Sequence, residues 1–335
     1  MGGHNSLFLL RNALSIPKLS YLLRTTPCFA SHQMKEYDST LRQTLSSSLN
    51  IQLNDDNWAQ ATLPVRWGGL GVRSICSLAP SAYLASAAKS AQLTSVLLPT
   101  RLRNLPDSYL ANARYEWSCQ TCDIPGTSAT LLDSTTQHDF EEPCNKHLAD
   151  KLLHQKDDMQ SRARILASRA KGSGDWLNAM PLASIGLKMT NDVIRVAVGI
   201  RLGTPIVLPH NCICGSFVEA DGLHSLSCRF GSGRHIRHNL VNDLLHRSLN
   251  KIGLHATREP NNLSPNSGIR PDGVTYIPWR RGRCLAWDAT CPTPSQTHIL
   301  EAQASLQGPQ QPQLSATSLR NTLTWPRTWN FSPSQ

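Results

Sequence analysis

The chain has 335 residues, of which 40% are hydrophobic, and its 33 Lys and Arg against 23 Asp and Glu give a formal net charge of +10. This composition is typical of a globular protein with a sizeable core and excludes a chain that is disordered throughout. No apolar run approaches the roughly 18 residues that a membrane span needs, and Leu7–Leu10 is too short for a signal peptide. We therefore expect a soluble intracellular protein, nuclear or cytoplasmic, with no membrane partner.

The first 200 residues are predicted to be mainly helical. In residues 6–23 leucines recur at helical spacing and Pro17 interrupts them, which predicts two short helices. Residues 101–149 are polar and contain three prolines, so an irregular linker is expected there. Further helices are predicted at Met34–Leu49, Pro80–Leu98, residues 145–170 and Asn191–Leu202, the last with Thr190 or Asn191 as its N-cap.

The positive charge is concentrated in one region. Between Arg229 and Arg283 there are 10 basic residues against 3 acidic ones, and nine of the ten are Arg. Arginine is suited to bidentate phosphate contact, so this region is predicted to bind DNA or RNA, although a solvated basic face that only aids solubility has a similar pattern. The candidate contact residues are Arg229, Arg234, Arg237, Arg247, Arg270, Arg280, Arg281 and Arg283.

Three of the 10 cysteines form a motif with one histidine. Cys212, Cys214, His224 and Cys228 are spaced as Cys-x-Cys-x9-His-x3-Cys. Three thiolates and one imidazole are a donor set that structural zinc prefers, and Gly215 allows the chain to turn between the ligands. His210, His235 or His238 could replace His224, and three reduced thiols packed without metal remain the alternative.

Two aspartates lie on a predicted hairpin. β-Branched and aromatic residues flank a turn rich in Pro and Gly, and pairing Ile277 with Arg283 places Asp272 opposite Asp288. Directly opposed residues have Cβ atoms about 5 Å apart, a separation that suits two carboxylates sharing Mg²⁺. Alternatively, Asp272 caps a turn and Asp288 closes a strand edge.

Taken in order, these motifs resemble the C-terminal part of non-LTR retrotransposon (LINE) polyproteins, in which a reverse transcriptase precedes a zinc knuckle and a restriction-like endonuclease. The resemblance covers roughly residues 3–292 and depends on the order of the motifs more than on any single one. The stretches that carry it are Leu9–Cys28, Leu63–Ser74, Gly174–Leu177, the Cys/His motif and the hairpin from Arg270 to Thr290.

The resemblance implies an α+β protein with a helical N-terminal two-thirds, a zinc knuckle, a small restriction-endonuclease-like α/β domain and a disordered tail. Cys212, Cys214, His224 and Cys228 would hold structural Zn²⁺, Asp272 and Asp288 would bind Mg²⁺, and Glu259 would match an upstream helical acid. The implied organisation is a thumb-like region (1–100), an irregular linker (101–150), a helical linker region (151–205), the knuckle (206–230), a partial nuclease (231–292) and a frame-shifted or disordered tail (293–335).

The chain also departs from that family. It lacks the fingers and palm of the polymerase, so no DNA synthesis is expected and an element-encoded polymerase becomes a candidate partner. The nuclease pattern requires a Lys after the second acid, and no Lys follows Lys251. The expected function is nucleic-acid binding by a retroelement fragment, with at most Mg²⁺-dependent DNA nicking; the alternative is an inert remnant or a zinc-stabilised interaction module.

Overall fold

The computed structural model describes residues 2–29, 31–102, 107–121, 136–260, 270–279, 281–289 and 291. The chain divides into two compact units, Met1–Leu208 and Pro209–Gln335. The first unit is helical, and the second combines helices with two small antiparallel sheets. The protein is therefore α+β, as predicted. The predicted tail, residues 293–335, lies outside the described residues.

The helices of the N-terminal unit begin close to the sequence signals that predict them. Pro17 lies in the first turn of α2, where a missing N–H is tolerated, and the Thr190 hydroxyl caps α9 by accepting the Val193 N–H (3.3 Å). The helices are α1 (Gly3–Leu9, continued by a π-helical turn, Leu10–Leu14), α2 (Ile16–Thr25), α3 (His32–Leu49), α4 (Asp55–Thr62), α5 (Ile75–Leu97), α6 (Ser108–Thr121), α7 (Gln137–His154), α8 (Met159–Arg169) and α9 (Asn191–Leu202).

Two buried polar side chains, Asp38 and Arg201, connect different segments of this unit by hydrogen bonds. Asp38 of α3 accepts hydrogen bonds from the Ser74 hydroxyl (2.6 Å) and from the first two N–H groups of α5 (2.9 and 3.2 Å), so a buried carboxylate caps that helix. Arg201 of α9 donates to the carbonyls of Val65 (2.9 Å) and Gly69 (3.0 Å), which fixes the Trp-Gly-Gly-Leu-Gly turn. An ideal Cβ on Gly69 would lie 2.0 Å from the Leu63 carbonyl, so the turn requires glycine there.

The described part of the segment 101–150 is mainly helical and is not the irregular linker that the sequence predicts. It contains α6 and most of α7, and Trp117 and Phe140 from these helices meet edge to face at 6.1 Å. Trp117 also donates its indole N–H to the Phe140 carbonyl (2.8 Å). Pro143 does not mark a linker, because it lies within α7, where long-range packing that composition does not reveal outweighs its cost; Pro106 and Pro125 lie outside the described residues.

In the C-terminal unit, strands β1 (His210–Asn211) and β2 (Phe217–Val218) form one hairpin. The helices α10 (His224–Ser227) and α11 (Gly233–Lys251) follow it. Strands β3 (Ala256–Arg258), β4 (Gly273–Thr275) and β5 (Ala286–Trp287) form an antiparallel sheet in the order β3-β4-β5, and α11 packs against it.

The face that α11 presents to this sheet is polar. Contacts come from side chains spaced four residues apart, among them His246, whose Nε2 lies 3.0 Å from the Ala256 carbonyl oxygen, and Asn250, which accepts the Ala256 N–H (3.0 Å). Leu240 and Leu244 of the same helix are exposed. Hydrogen bonds therefore add to the half-buried Leu245 and Leu249 in holding this helix. None of the helices in the described part of the chain is long and apolar enough to cross a membrane.

Candidate metal centre and acidic site

The first two cysteines of the Cys/His motif lie on a tight turn at the end of the β1–β2 hairpin. The Cys212 N–H donates to the Ser216 carbonyl, and the Gly215 N–H donates to the Cys212 carbonyl, each at 2.9 Å. Gly215 has φ +87°, a conformation that glycine adopts without a Cβ clash. This turn directs Cys212 and Cys214 to the same side.

The remaining two candidate ligands are His224, the first residue of α10, and Cys228, which follows its last residue. His224 and Cys228 are four residues apart, and the Cys228 N–H donates to the His224 carbonyl (2.9 Å), so both side chains lie on one face. Cys212 Sγ is 3.6 Å from Cys228 Sγ, and Cys214 Sγ is 3.2 Å from His224 Nε2. With zinc–sulfur bonds of about 2.3 Å, two sulfurs of a tetrahedral site lie about 3.8 Å apart. The spacing is therefore suited to a metal ion such as zinc.

These four residues are the ligands that the sequence predicts, with His224 as the nitrogen donor. Their ligand atoms all lie within 4.8 Å of one another, and no other group of three or more His, Cys, Asp and Glu meets that condition in the described part of the chain. Hydrogen bonds from the Ser216 hydroxyl and N–H lower the pKa of Cys214 to about 6, which favours the thiolate that a metal requires.

The two aspartates lie where the predicted hairpin register places them. Gly273 pairs with Trp287 and Val274 with Ala286, so Asp272 and Asp288 are the next opposed positions, and their carboxyl groups share a hydrogen bond. Closer to the turn the register shifts by two, because the Trp279 N–H donates to the Arg283 carbonyl, and the expected pairing of Ile277 with Arg283 is not part of the ladder.

The surroundings of the two carboxyl groups shift their pKa values in opposite directions. Burial favours the neutral form of Asp272, but the Ala289 N–H (2.6 Å), hydrogen bonds from Asn242 and Asp288, and the charge of His238 outweigh it and lower its pKa. Burial, the hydrogen bond to Asp272 and the Asp272 charge together raise the pKa of Asp288. Asp288 is therefore the member of the pair that retains a proton more readily.

Two residues of α11 that support Asp272 were not assigned to this site from the sequence. His238 Nε2 lies 3.0 Å from Asp272 Oδ2, and Asn242, only 2% exposed, lies against His238 and accepts the Trp287 indole N–H (3.2 Å). An ideal Cβ on Gly273 would lie 2.0 Å from Trp287 Cζ2, so glycine is what allows the indole to cross this strand. The sequence feature that could have identified His238 and Asn242 is their four-residue spacing, which continues at His246 and Asn250.

Glu259 directly follows β3 and is not on a helix, so it does not match the helical acid that the resemblance implies. Its N–H donates to the Asp272 carbonyl (2.8 Å), but its carboxylate forms an ion pair with Arg270 (3.0 Å) and is exposed. The structure therefore brings the backbone of Glu259 to the site and directs its side chain to Arg270. Thr290, two positions after Asp288 where the nuclease pattern has Lys, lies outside the described residues.

The candidate arginines fall into groups by their partners. Arg247 is paired with Asp243 (2.6 Å) and Arg270 with Glu259, while Arg237 donates to the Leu226 carbonyl. The Arg229 guanidinium lies 4.8 Å from the centre of the Phe230 ring. Arg281 and Arg283 are exposed and form no ion pair with the described residues; Arg280 and the side chain of Arg234 lie outside them.

No protein family model matches the chain, and no curated protein sequence is significantly similar to it. The function therefore has to be inferred from these two sites and from the charged surface of the C-terminal unit.

Proposed function

We propose that the C-terminal unit binds nucleic acid through its arginine-rich surface. The observation that carries the proposal is the group of exposed guanidinium groups without an acidic partner among the described residues: Arg229, Arg281 and Arg283. The surrounding stretch, residues 229–283, has an excess of seven positive charges. Phosphate contacts of this kind contribute an affinity that decreases steeply with salt concentration.

Fluorescence anisotropy with a labelled oligonucleotide at several salt concentrations tests this proposal. We expect the affinity to fall as salt rises, and the double variant Arg281→Gln with Arg283→Gln to reduce the salt slope by about one to two units. Arg247→Gln is the matched control, because Arg247 is already paired with Asp243 and should contribute less. An affinity independent of salt would contradict phosphate contact.

We also propose that Cys212, Cys214, His224 and Cys228 bind structural Zn²⁺. The sulfur and nitrogen distances and the closed set of four protein ligands support this, since no position is left for a substrate. Plasma mass spectrometry of protein purified without chelator should give about one equivalent of zinc. A content below about half an equivalent would contradict the proposal.

A second candidate function is Mg²⁺-dependent nicking of DNA. It is favoured by the direct contact of Asp272 with Asp288, whose pKa values are shifted in opposite directions. Mg²⁺ held by both carboxylates would polarise a phosphodiester and activate water. Asp272 would be fixed for this by its contacts with His238 and the Ala289 N–H. The ion pair of Glu259 and the missing Lys weigh against efficient cleavage.

A plasmid-nicking assay separates the nuclease from a binding module. The nuclease requires nicking that depends on Mg²⁺ and is lost in Asp272→Asn. Undiminished nicking by the variant would assign the activity to a contaminant. An inactive wild type that still binds oligonucleotides would leave binding as the function.

The resemblance to LINE polyproteins remains our proposal for the origin of the chain and for an element-encoded polymerase as its partner. It is supported by the motif order, the Cys/His cluster and the opposed aspartates. The genomic sequence that flanks the gene tests it: an upstream palm-coding region is expected, and unrelated flanking sequence would contradict the assignment.

A further inference from the structure

The turn that joins β4 to β5, residues 276–283, exposes two aromatic side chains. Tyr276 is 67% exposed and Trp279 is 53% exposed, whereas Val274, Thr275 and Trp287 on the adjoining strands are buried. Large exposed aromatic groups in a small folded unit are typical of binding surfaces. Both residues therefore present more than half of their surface to solvent.

The backbone of this turn is fixed by hydrogen bonds that do not involve the aromatic side chains. The Tyr276 N–H donates to the His255 carbonyl and the Trp279 N–H to the Arg283 carbonyl, each at 2.8 Å. Arg281 and Gly282 both have positive φ, +52° and +72°, and reverse the chain direction. Replacing either ring therefore removes none of the backbone hydrogen bonds that fix the turn.

The charge of the turn identifies the kind of partner. Arg281 and Arg283 are exposed, and residues 273–287 contain no Asp or Glu. A partner of complementary chemistry carries negative charges close to flat apolar surfaces. Nucleic acids have both, and the faces of their bases are accessible only where the bases are unpaired.

We propose that Tyr276 and Trp279 stack on unpaired bases of a nucleic acid strand whose phosphates contact Arg281 and Arg283. This proposal rests on the nucleic-acid binding proposed above and names its substrate class as single-stranded DNA or RNA. Asp272 and Tyr276 flank β4 and are four residues apart, so at about 3.3 Å per residue the stacking surface lies about 13 Å from the acidic pair.

The test compares single-stranded and duplex oligonucleotides of the same sequence by fluorescence anisotropy, with DNA and RNA versions of each. The double variant Tyr276→Leu with Trp279→Leu should weaken binding of the single strand at least about 30-fold, which is about fivefold or more for each stacked base, and change duplex binding less than about twofold. Trp279→Phe should retain most of the affinity. Tyr115→Leu is the matched control, because Tyr115 of α6 has the same 67% exposure as Tyr276.

The failure of this proposal can be distinguished from that of nucleic-acid binding as a whole. If the wild type binds neither single-stranded nor duplex oligonucleotide, both proposals are wrong. If the wild type binds but the double variant retains full single-strand affinity, or loses single-strand and duplex binding equally, the stacking proposal alone is wrong. Circular dichroism of each variant checks that the fold is retained.

Discussion

Substitution of Gly273 by Ala tests the packing that holds the acidic pair. An ideal Cβ at Gly273 would lie 2.0, 2.3 and 2.5 Å from Trp287 Cζ2, Cη2 and Cε2. Non-bonded carbon atoms are ordinarily at least about 3.5 Å apart, so the indole would have to move away from the new Cβ by about 1.5 Å. The movement would break the hydrogen bond from the Trp287 indole N–H to Asn242, which is 3.2 Å long and buried.

The cost of Gly273→Ala follows from these two effects. Overpacking contributes about 1–3 kcal/mol and an unpaired buried donor about 1–3 kcal/mol, so we expect a loss of about 2–6 kcal/mol in the free energy of unfolding of the C-terminal unit. At roughly 2 kcal/mol per molar urea, the midpoint falls by about 1–3 M.

Hydrogen exchange of peptides from α11 and β3–β5 across a urea series measures this unit separately. Gly282→Ala is the control in the same hairpin: its Cβ would meet no atom within 4 Å, and only the positive φ, with a cost of about 1 kcal/mol, opposes it. If Gly273→Ala were no more destabilising than Gly282→Ala, Trp287 would not lie across Gly273 as described.

Three further predictions concern single groups. Asp38→Ala should destabilise the N-terminal unit by about 3 kcal/mol in thermal unfolding, because three donors at the start of α5 lose a charged acceptor; an unchanged melting temperature contradicts this. Zinc removal by chelation, or Cys214→Ser, should abolish exchange protection of β1, β2 and α10 but not of α3; retained protection contradicts a structural metal. Without Mg²⁺, Asp288→Asn should stabilise the protein against urea at pH 7 but not at pH 4. The pKa of Asp288 is raised in the folded protein, so the protonated side chain stabilises the fold below its ordinary pKa and this stability is lost as the pH rises. Equal stability of variant and wild type at pH 7 contradicts this prediction.

The parts of the site that could be predicted from sequence depend on local chemistry. The opposition of Asp272 and Asp288 is predicted correctly, but from a pairing of Ile277 with Arg283 that the β4–β5 ladder does not contain. The Cys/His cluster follows from donor type and spacing within 17 residues of chain. For the cluster the deciding residues are close in sequence, so no knowledge of the tertiary structure is needed.

The parts that could not be predicted depend on contacts between distant segments. His238 is 34 residues from Asp272, and Asn242 is 45 residues from Trp287. The helical structure of residues 108–121 and 137–154 is likewise stabilised by contacts such as Trp117 with Phe140, which the polar composition of 101–150 conceals. Local propensity is a weak guide where tertiary packing decides.

Helix α11 shows why periodicity alone would also misplace its buried face. Its apolar residues include Leu240 and Leu244, which are exposed, while His238 and Asn242 face the sheet and the acidic pair. Compared with a helix whose leucines all face the core, α11 gains less from hydrophobic burial, and its position depends more on the neighbours to which it is hydrogen-bonded. One of these is α10, whose Leu226 carbonyl accepts a hydrogen bond from Arg237 of α11, and α10 begins at His224 and ends next to Cys228 of the Cys/His cluster. Metal binding should therefore help to position the histidine that contacts Asp272.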